Sequence, residues 1–383
     1  MLAAMKMSVM ADISDIAKDA NWGFLLGQFK WVYAFFSPLG GYIADRFSRR
    51  FTICTSLFIW SIVTWMTGQA QTFDQLLWTR TLMGISEAFY IPAALALIAD
   101  FHSGGTRSRA IGIHQTAIYC GIIVGGFSGY VADAPMLGWR FAFEAAGIVG
   151  VLYALPLMIF LRDHRPATAH DHSHKSDQFS VATMFRELIA NPSFLLLVLC
   201  FTLPALAGWV VKDWMPAILK DKFPAIGQGM AGVSATLYVN IAALVSAFAG
   251  GWLADRLMRH TRRGRIYVSA IGMSLLIPSL FGVGNSATLL AAVLFLALFG
   301  IGWGFFDCNN MPILSQIVRP ELRATAYGIL NLVSISCGGL ADWGFGLLRD
   351  RAVPLNQIFG VFSTLALISV LIVLLIRPRQ DLD

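Results

Sequence analysis

Arg80 and Glu87 stand seven residues apart in the stretch Arg80-Thr-Leu-Met-Gly84-Ile-Ser-Glu87, inside a run that is otherwise apolar. If the run is helical, seven residues make two turns, so both charges share one face about 10 Å apart along the axis. A carboxylate kept from bulk water near a guanidinium can be tuned to exchange a proton near neutral pH. The opposing reading is a static ion pair. Gly84 between them would let a neighbouring helix approach. Asp307 is a second candidate for proton exchange, in Gly300-Ile-Gly-Trp303-Gly-Phe-Phe306-Asp307-Cys-Asn309-Asn310-Met-Pro312, where glycine and proline permit bending. Lys30, with Tyr33 near it, could bind an anion, snorkel to an interface, or pair with a carboxylate of a preceding helix. His114, Gln115 and Tyr119 fall in one apolar run, and Asn331 with Ser334 and Ser336 in another. Such polar groups bind ligands or hydrogen-bond between helices. His114 could add pH sensitivity, with an unperturbed pKa of about 6.5.

The elements that must position these residues are membrane spans. The chain has 383 residues, 57% hydrophobic and 13% charged, with a mean hydropathy of +0.66. Soluble domains carry about 25% charged residues. This excludes a disordered chain, a nucleic-acid-binding domain and an ordinary soluble enzyme. Eleven runs approach the roughly 20 residues that a bilayer core demands: 23–43, 51–69, 75–100, 108–131, 139–161, 191–219, 229–254, 266–284, 287–315, 324–348 and 356–376. Each must be helical, because lipid offers the backbone no hydrogen bonds. Loops after alternate runs hold 18 of the 28 basic residues, from Arg46, Arg49 and Arg50 to Arg377 and Arg379; the opposite loops hold five. The first set is therefore cytoplasmic. The net charge of +6 is mostly this topology signal, not a nucleic-acid surface. Five single cysteines suggest neither disulfides nor a metal site. The opening MLAAMKMSVM is too short to span and lacks a cleavage site. No nucleotide loop, nucleophile elbow or cofactor motif is present, so an enzyme is not expected and an ion gradient must supply energy.

Gly41-Tyr-Ile-Ala-Asp45-Arg46-Phe-Ser-Arg49-Arg50 returns as Gly251-Trp-Leu-Ala-Asp255-Arg256-Leu-Met-Arg259, 210 residues later. The chain reads as a duplicated bundle: an N-terminal bundle at 1–162, a cytoplasmic linker at 163–190 and a C-terminal bundle at 191–383. The run 191–219 precedes the second motif by one helix. Its first-half counterpart falls at about −19 to 9 by the same offset, so the first helix is expected to be largely missing from this chain. A true eleven-span protein would put its termini on opposite sides and break the repeat.

The G-x-x-x-D-R-x-x-R-R loop resembles the best-known motif of the major facilitator superfamily. That resemblance implies an all-α membrane protein of two pseudo-symmetric six-helix bundles, acting as a monomer by alternating access. Within the superfamily, R-x3-G-x2-E at Arg80, Gly84 and Glu87 looks like the anion:cation symporters of sugar acids, hexuronates and sialic acid, and also like Spinster-like lipid transporters. The resemblance implies that Glu87 and Arg80, with charged residues of the first helix, couple protons to a small anionic substrate; Asp307 stands beside them as the second candidate. Lys30, Tyr33, His114, Gln115, Tyr119, Trp303, Asn309 and Asn331 would contact that substrate, with Trp303 and Phe306 stacking on a sugar ring. It further implies that Gly41, Asp45, Arg46, Arg49, Asp100, Asp255 and Arg256 form cytoplasmic gates. Asp45 would meet a helix N-terminus of the other half, and Arg46, Arg49 and Asp100 would hold the outward-facing state. Lys212 with Asp213 would close the outer gate, and Trp209 and Trp214 form an interface belt. The leading expectation is proton-coupled symport of a sugar acid in a bacterial inner membrane. The alternatives are a lipid or lysophospholipid carrier, a neutral sugar or drug transporter, and a non-transporting receptor. His164, His170, His172 and His174 read as a solvated loop rather than a metal site, and 180–190 as an amphipathic surface helix.

Overall fold

The apolar runs have folded as helices, which pair every backbone group within the segment. The computed structural model describes residues 1–102, 105–163 and 181–379. A 3-10 turn at Leu2–Met5 leads into the short α1 (Lys6–Asp12). The first half continues with α2 (Asp19–Arg46), α3 (Arg49–Gln69), α4 (Phe73–Ala88), α5 (Tyr90–Phe101), α6 (Gly105–Gly126), α7 (Ser128–Asp133) and α8 (Gly138–Phe160). The surface helix α9 (Val181–Ala190) precedes the second half. That half comprises α10 (Pro192–Lys222), α11 (Gln228–Met258), α12 (Gly264–Asn285), α13 (Leu289–Asp307), α14 (Asn310–Ile317), α15 (Arg323–Asp350) and α16 (Leu355–Leu375). Among the described residues, ten spans are long and apolar enough to cross a bilayer. The other expected span, 23–43, is α2, a helix of 28 residues that carries Lys30. The four linker histidines lie outside the described residues.

Two expected spans are broken at equivalent places in the two halves, and a third, 108–131, turns at Phe127 between α6 and α7. The run 75–100 turns at Phe89 between α4 and α5, and 287–315 turns at Cys308 and Asn309 between α13 and α14. Proline has no N–H for the carbonyl four residues back. Pro92 therefore leaves Ala88 without its helical donor, and Pro312 does the same to Cys308. Both breaks fall there.

Packing between the halves is concentrated at the ends away from the basic loops. α2 lies along α15, α11 against α6 and α7, and the Leu2–Met5 turn against α10 and α11. One apolar core joins both halves on this outer side, including Met5, Trp22 and Leu25 with Trp214, Leu219 and Phe345. Toward the basic side the core separates. Ile53, Ala93, Ala94 and Leu97 cluster within the first half, and Phe194, Leu197, Ile313 and Ile317 within the second. The molecule is closed outside and parts inside.

Glycines make the outer seam possible. A Cβ on Gly23 would sit 2.3 Å from the carbonyl oxygen of Asp342, and one on Gly346 the same distance from that of Asp19. Such close backbone approach is how helices associate where lipid offers no hydrophobic drive. Trp214, expected in an interface belt, is instead 1% exposed and packs on Phe345 at 4.9 Å. Trp209 lies between the ammonium groups of Lys30 and Lys212, at 4.3 and 4.8 Å from its ring. The reason is position: both tryptophans face the seam between the halves rather than lipid. α9 is tied to the second half by Leu188, which is buried, and by Glu187 accepting from Arg319 Nε at 2.9 Å.

Candidate functional site

Between the halves lies a cavity of about 240 Å³, whose wall includes Leu26, Phe29, Lys30, Arg80, Lys212 and Asp213. α4 brings Arg80 to it, with its guanidinium buried and reaching Thr67 Oγ1 at 3.5 Å. Gly84 does what its place suggested. A Cβ there would lie 2.8 Å from the Phe29 carbonyl, so α2 closes on α4 at this level. That approach brings Tyr33 within electrostatic reach of Glu87. The cations that bear on Glu87 are Lys212 of α10 and Arg80. Glu87 is thus a carboxylate between a cation of its own half and one of the other.

A second polar group lies deeper toward the basic side. Tyr119 hydrogen-bonds Gln115 and is within reach of Asp307, and Tyr327 hydrogen-bonds Asn331 and is within reach of the same carboxylate. Asn310 donates to Asp307 Oδ1 at 3.4 Å. Asp307 is solvent-accessible while residues of both halves surround it, as an axial position requires. The structure therefore sets Arg80 and Tyr33 about Glu87, and Gln115, Tyr119 and Asn331 about Asp307, with Tyr327 in reach of both Tyr33 and Asp307.

Other expected residues are placed elsewhere. His114 stacks on Tyr90 within its own half, with ring centroids 6.0 Å apart and Nε2 3.4 Å from the Tyr90 hydroxyl. Trp303 packs inside the second half between Phe299 and Phe306, and Phe306 is fully buried, leaving it no face for a sugar ring. Asn309 is also fully buried, donating to the Phe305 carbonyl at 2.9 Å across the helix break. Trp303 and Asn309 serve local packing at the break between α13 and α14, and His114 faces Tyr90 within the first half.

Lys30 is 3% exposed and held by two carboxylates of the other half, Asp213 at 2.5 Å and Asp342. It neither snorkels nor meets a preceding helix. Asp213 closes the outer side through Lys30 rather than through Lys212. Asp342 is absent from the expected set, although it satisfies the criterion that picked out Glu87: charge within an apolar run.

The gates also differ from expectation. Arg49 pairs with Asp100 and donates to the Ala96 carbonyl at 3.0 Å. This pair lies within one half and persists while the basic side is parted, so it does not by itself clasp the halves. Asp255 pairs with Arg265 at 2.8 Å, and Arg256 sits 5.5 Å from the Trp252 ring. The side chains of Gly41, Asp45 and Arg46 lie outside the described residues. Carboxylates do cap helix starts of the opposite half, but on the outer side. Asp350 accepts from the backbone N–H groups of Asp19 and Ala20, both at 2.9 Å. Asp133 accepts from the Gly229 N–H at 3.1 Å and from Gln228 Nε2 at 3.0 Å. A helix start leaves N–H groups unpaired and carries partial positive charge, so each carboxylate is well placed. The two caps are related by the repeat. In each half the end of a helix meets the start of α2 or α11 in the other. Among the described residues no group of histidine, cysteine, aspartate and glutamate could hold a metal.

Known proteins share this architecture. The chain is 27% identical over 380 residues to protein spinster homolog 1 of Xenopus laevis, covering 90% of this chain and 70% of that protein. It is 25% identical over 335 residues to the sphingosine-1-phosphate transporter SPNS2 of Xenopus tropicalis, covering 83% of this chain and 64% of that protein. Its fold matches the crystal structure of a bacterial homologue of the human lysosomal transporter Spinster, inward-facing and occupied, with a TM-score of 0.78, 21% identity, and coverage of 98% of this chain and 93% of that one. It also matches a D-xylose–proton symporter, with a TM-score of 0.75, 17% identity, and coverage of 98% and 92%. The family model of the Major Facilitator Superfamily spans residues 1–341. With two bundles meeting around an axial cavity, the chain belongs to the major facilitator superfamily of membrane transporters.

Proposed function

We propose that this transporter carries an amphiphilic organic anion, of lysophospholipid or sphingoid-phosphate type, coupled to protons through Glu87. The observation that carries the reading is the cavity wall, where Arg80 and Lys212 stand beside Leu26, Phe29, Ile122 and Pro216. Cations and apolar surface side by side suit a charged head group with a chain attached. The name of the sphingosine-1-phosphate transporter SPNS2 agrees with that chemistry.

Charge balance supplies the coupling. The Lys30 cluster is neutral with one proton on its two aspartates, which leaves Arg80 and Lys212 facing Glu87. With Glu87 ionised, one positive charge remains for an anion; with Glu87 protonated, two remain. Proton and anion therefore bind cooperatively, and a site holding the proton together with a doubly charged phosphate carries no unpaired charge through the closed state. No other cofactor enters this scheme, and one chain suffices for it.

A sugar acid is the second reading, favoured by the hydroxyl and amide groups of Tyr33, Gln115, Tyr119 and Asn331 around the deeper part of the axis. Proteoliposome uptake under an inward proton gradient separates the two, using a lysophospholipid, a sphingoid phosphate, a sialic acid, a hexuronate and xylose. Accumulation of the amphiphiles supports the first reading. Accumulation of sugar acids alone transfers the function to the second. Uptake of none defeats both.

A further inference from the structure

We propose that Lys30, Asp213 and Asp342 form a second proton-binding site, distinct from Glu87, whose occupancy holds the outer gate closed. The inference rests on the transporter reading but not on what is carried.

The argument begins with charge. One ammonium, from α2, faces two carboxylates, from α10 and α15, across the seam between the halves. Lys30 is 3% exposed and Asp342 is fully buried. The site lies about 12–16 Å in from the outer helix ends, counting 1.5 Å per residue along each helix. Fully ionised, it carries one negative charge in excess, and an uncompensated charge in such a place is costly. Asp342 shows which atom would take a proton. One of its oxygens accepts from Lys30, while Oδ1 is buried without any hydrogen-bond partner. A proton on the Asp342 carboxyl makes the cluster neutral.

Other charged groups face the site. Lys212 of α10 bears on Asp342 from a position over the Trp209 ring. Arg80 of α4 and Lys212 line the cavity beside Asp213. These cations are shared with Glu87 and the cavity. Lys30 alone forms ion pairs with the two aspartates.

Geometry makes the site a gate. Lys30 belongs to the first half and both aspartates to the second, so opening the outer side must part them. Loss of the proton from Asp342 to solvent leaves the closed cluster with its excess charge. Parting the halves lets each group be hydrated. The protonated site therefore favours outer closure, and a rise in pH favours opening.

Two measurements on the purified full chain in nanodiscs, without any transported compound, test this. Infrared spectroscopy should show a protonated-carboxyl band that Asp342→Asn abolishes and Glu87→Gln leaves in place. Asp213→Asn should abolish the same band, because one aspartate matched to one lysine needs no proton. This second variant serves if Asp342→Asn does not fold. Spin labels at the exposed outer positions Gln71 and Asn356, in a background with the five cysteines replaced by alanine, report gate distance against pH. The wild-type distance should lengthen as pH rises, and Asp342→Asn should stay at the closed value. A band lost in Glu87→Gln but retained in Asp342→Asn, or a gate distance indifferent to pH in the wild type, would overturn the proposal. Since no cargo is present, either failure leaves the proposed substrate class untouched, and an uptake failure leaves the gate result standing.

Discussion

Replacing Asp133 and Asp350 by alanine should release the outer face of the transporter. Each carboxylate caps the start of a helix belonging to the opposite half, through Gln228 and Gly229 in one case and Asp19 and Ala20 in the other. Loss of an N-cap costs about 1 kcal/mol, and the interaction of a charge with the helix dipole adds about 0.3–1 kcal/mol. The caps exist only while the outer side is closed, so the whole loss falls on the closed state. They share no partner, so their effects should add, giving roughly 2–4 kcal/mol for the pair. Water takes over the freed N–H groups once the halves part, which favours the lower figure. An outer-open population about 30-fold larger is then expected for the double variant, and about fivefold larger for each single one. The assay is the rate at which an impermeant maleimide, added outside, labels Thr236→Cys in a chain otherwise free of cysteine. Thr236 lies against Gly126 in the seam, where only an open outer side admits the reagent. A labelling rate for Asp133→Ala/Asp350→Ala equal to that of its parent would refute the reasoning.

Three further outcomes are expected. Glu87→Gln should retain substrate exchange while losing accumulation under a proton gradient; unchanged accumulation would remove Glu87 from the coupling step. Lys30→Met strands two carboxylates, one of them fully buried. It should destabilise the fold by about 3–5 kcal/mol, seen as a lower melting temperature in detergent. Adding Asp342→Asn should recover part of that loss. Gly23→Val forces a side chain against the Asp342 carbonyl, where even a Cβ would lie 2.3 Å away. It should cost about 1–3 kcal/mol of outer closure, read as faster outside labelling of the same cysteine.

The sequence by itself determined the membrane architecture, and the reason is the solvent. Lipid cannot hydrogen-bond the backbone, so each long apolar run had one available conformation. The duplicated Gly41–Arg50 and Gly251–Arg259 segments disclosed the repeat, because it is a property of neighbouring residues; Pro92 and Pro312 could have located the helix breaks in the same way, but the expected spans ran through both. The role of Gly84 was legible for the same reason, and Asp342 could have been found by the rule that found Glu87. Partners were another matter. Lys30 meets Asp213 and Asp342 from 183 and 312 residues away. Asp350 caps a helix that begins 331 residues earlier. His114, Trp303 and Asn309 have the residue types of a binding site, yet their helices turn them into their own bundles. Trp209 and Trp214 have the spacing of an interface belt, yet they lie in a seam. Which face of a helix meets lipid, cavity or another helix follows from how all the helices pack together. Only the tertiary structure decides that, since a single span looks apolar on nearly every side.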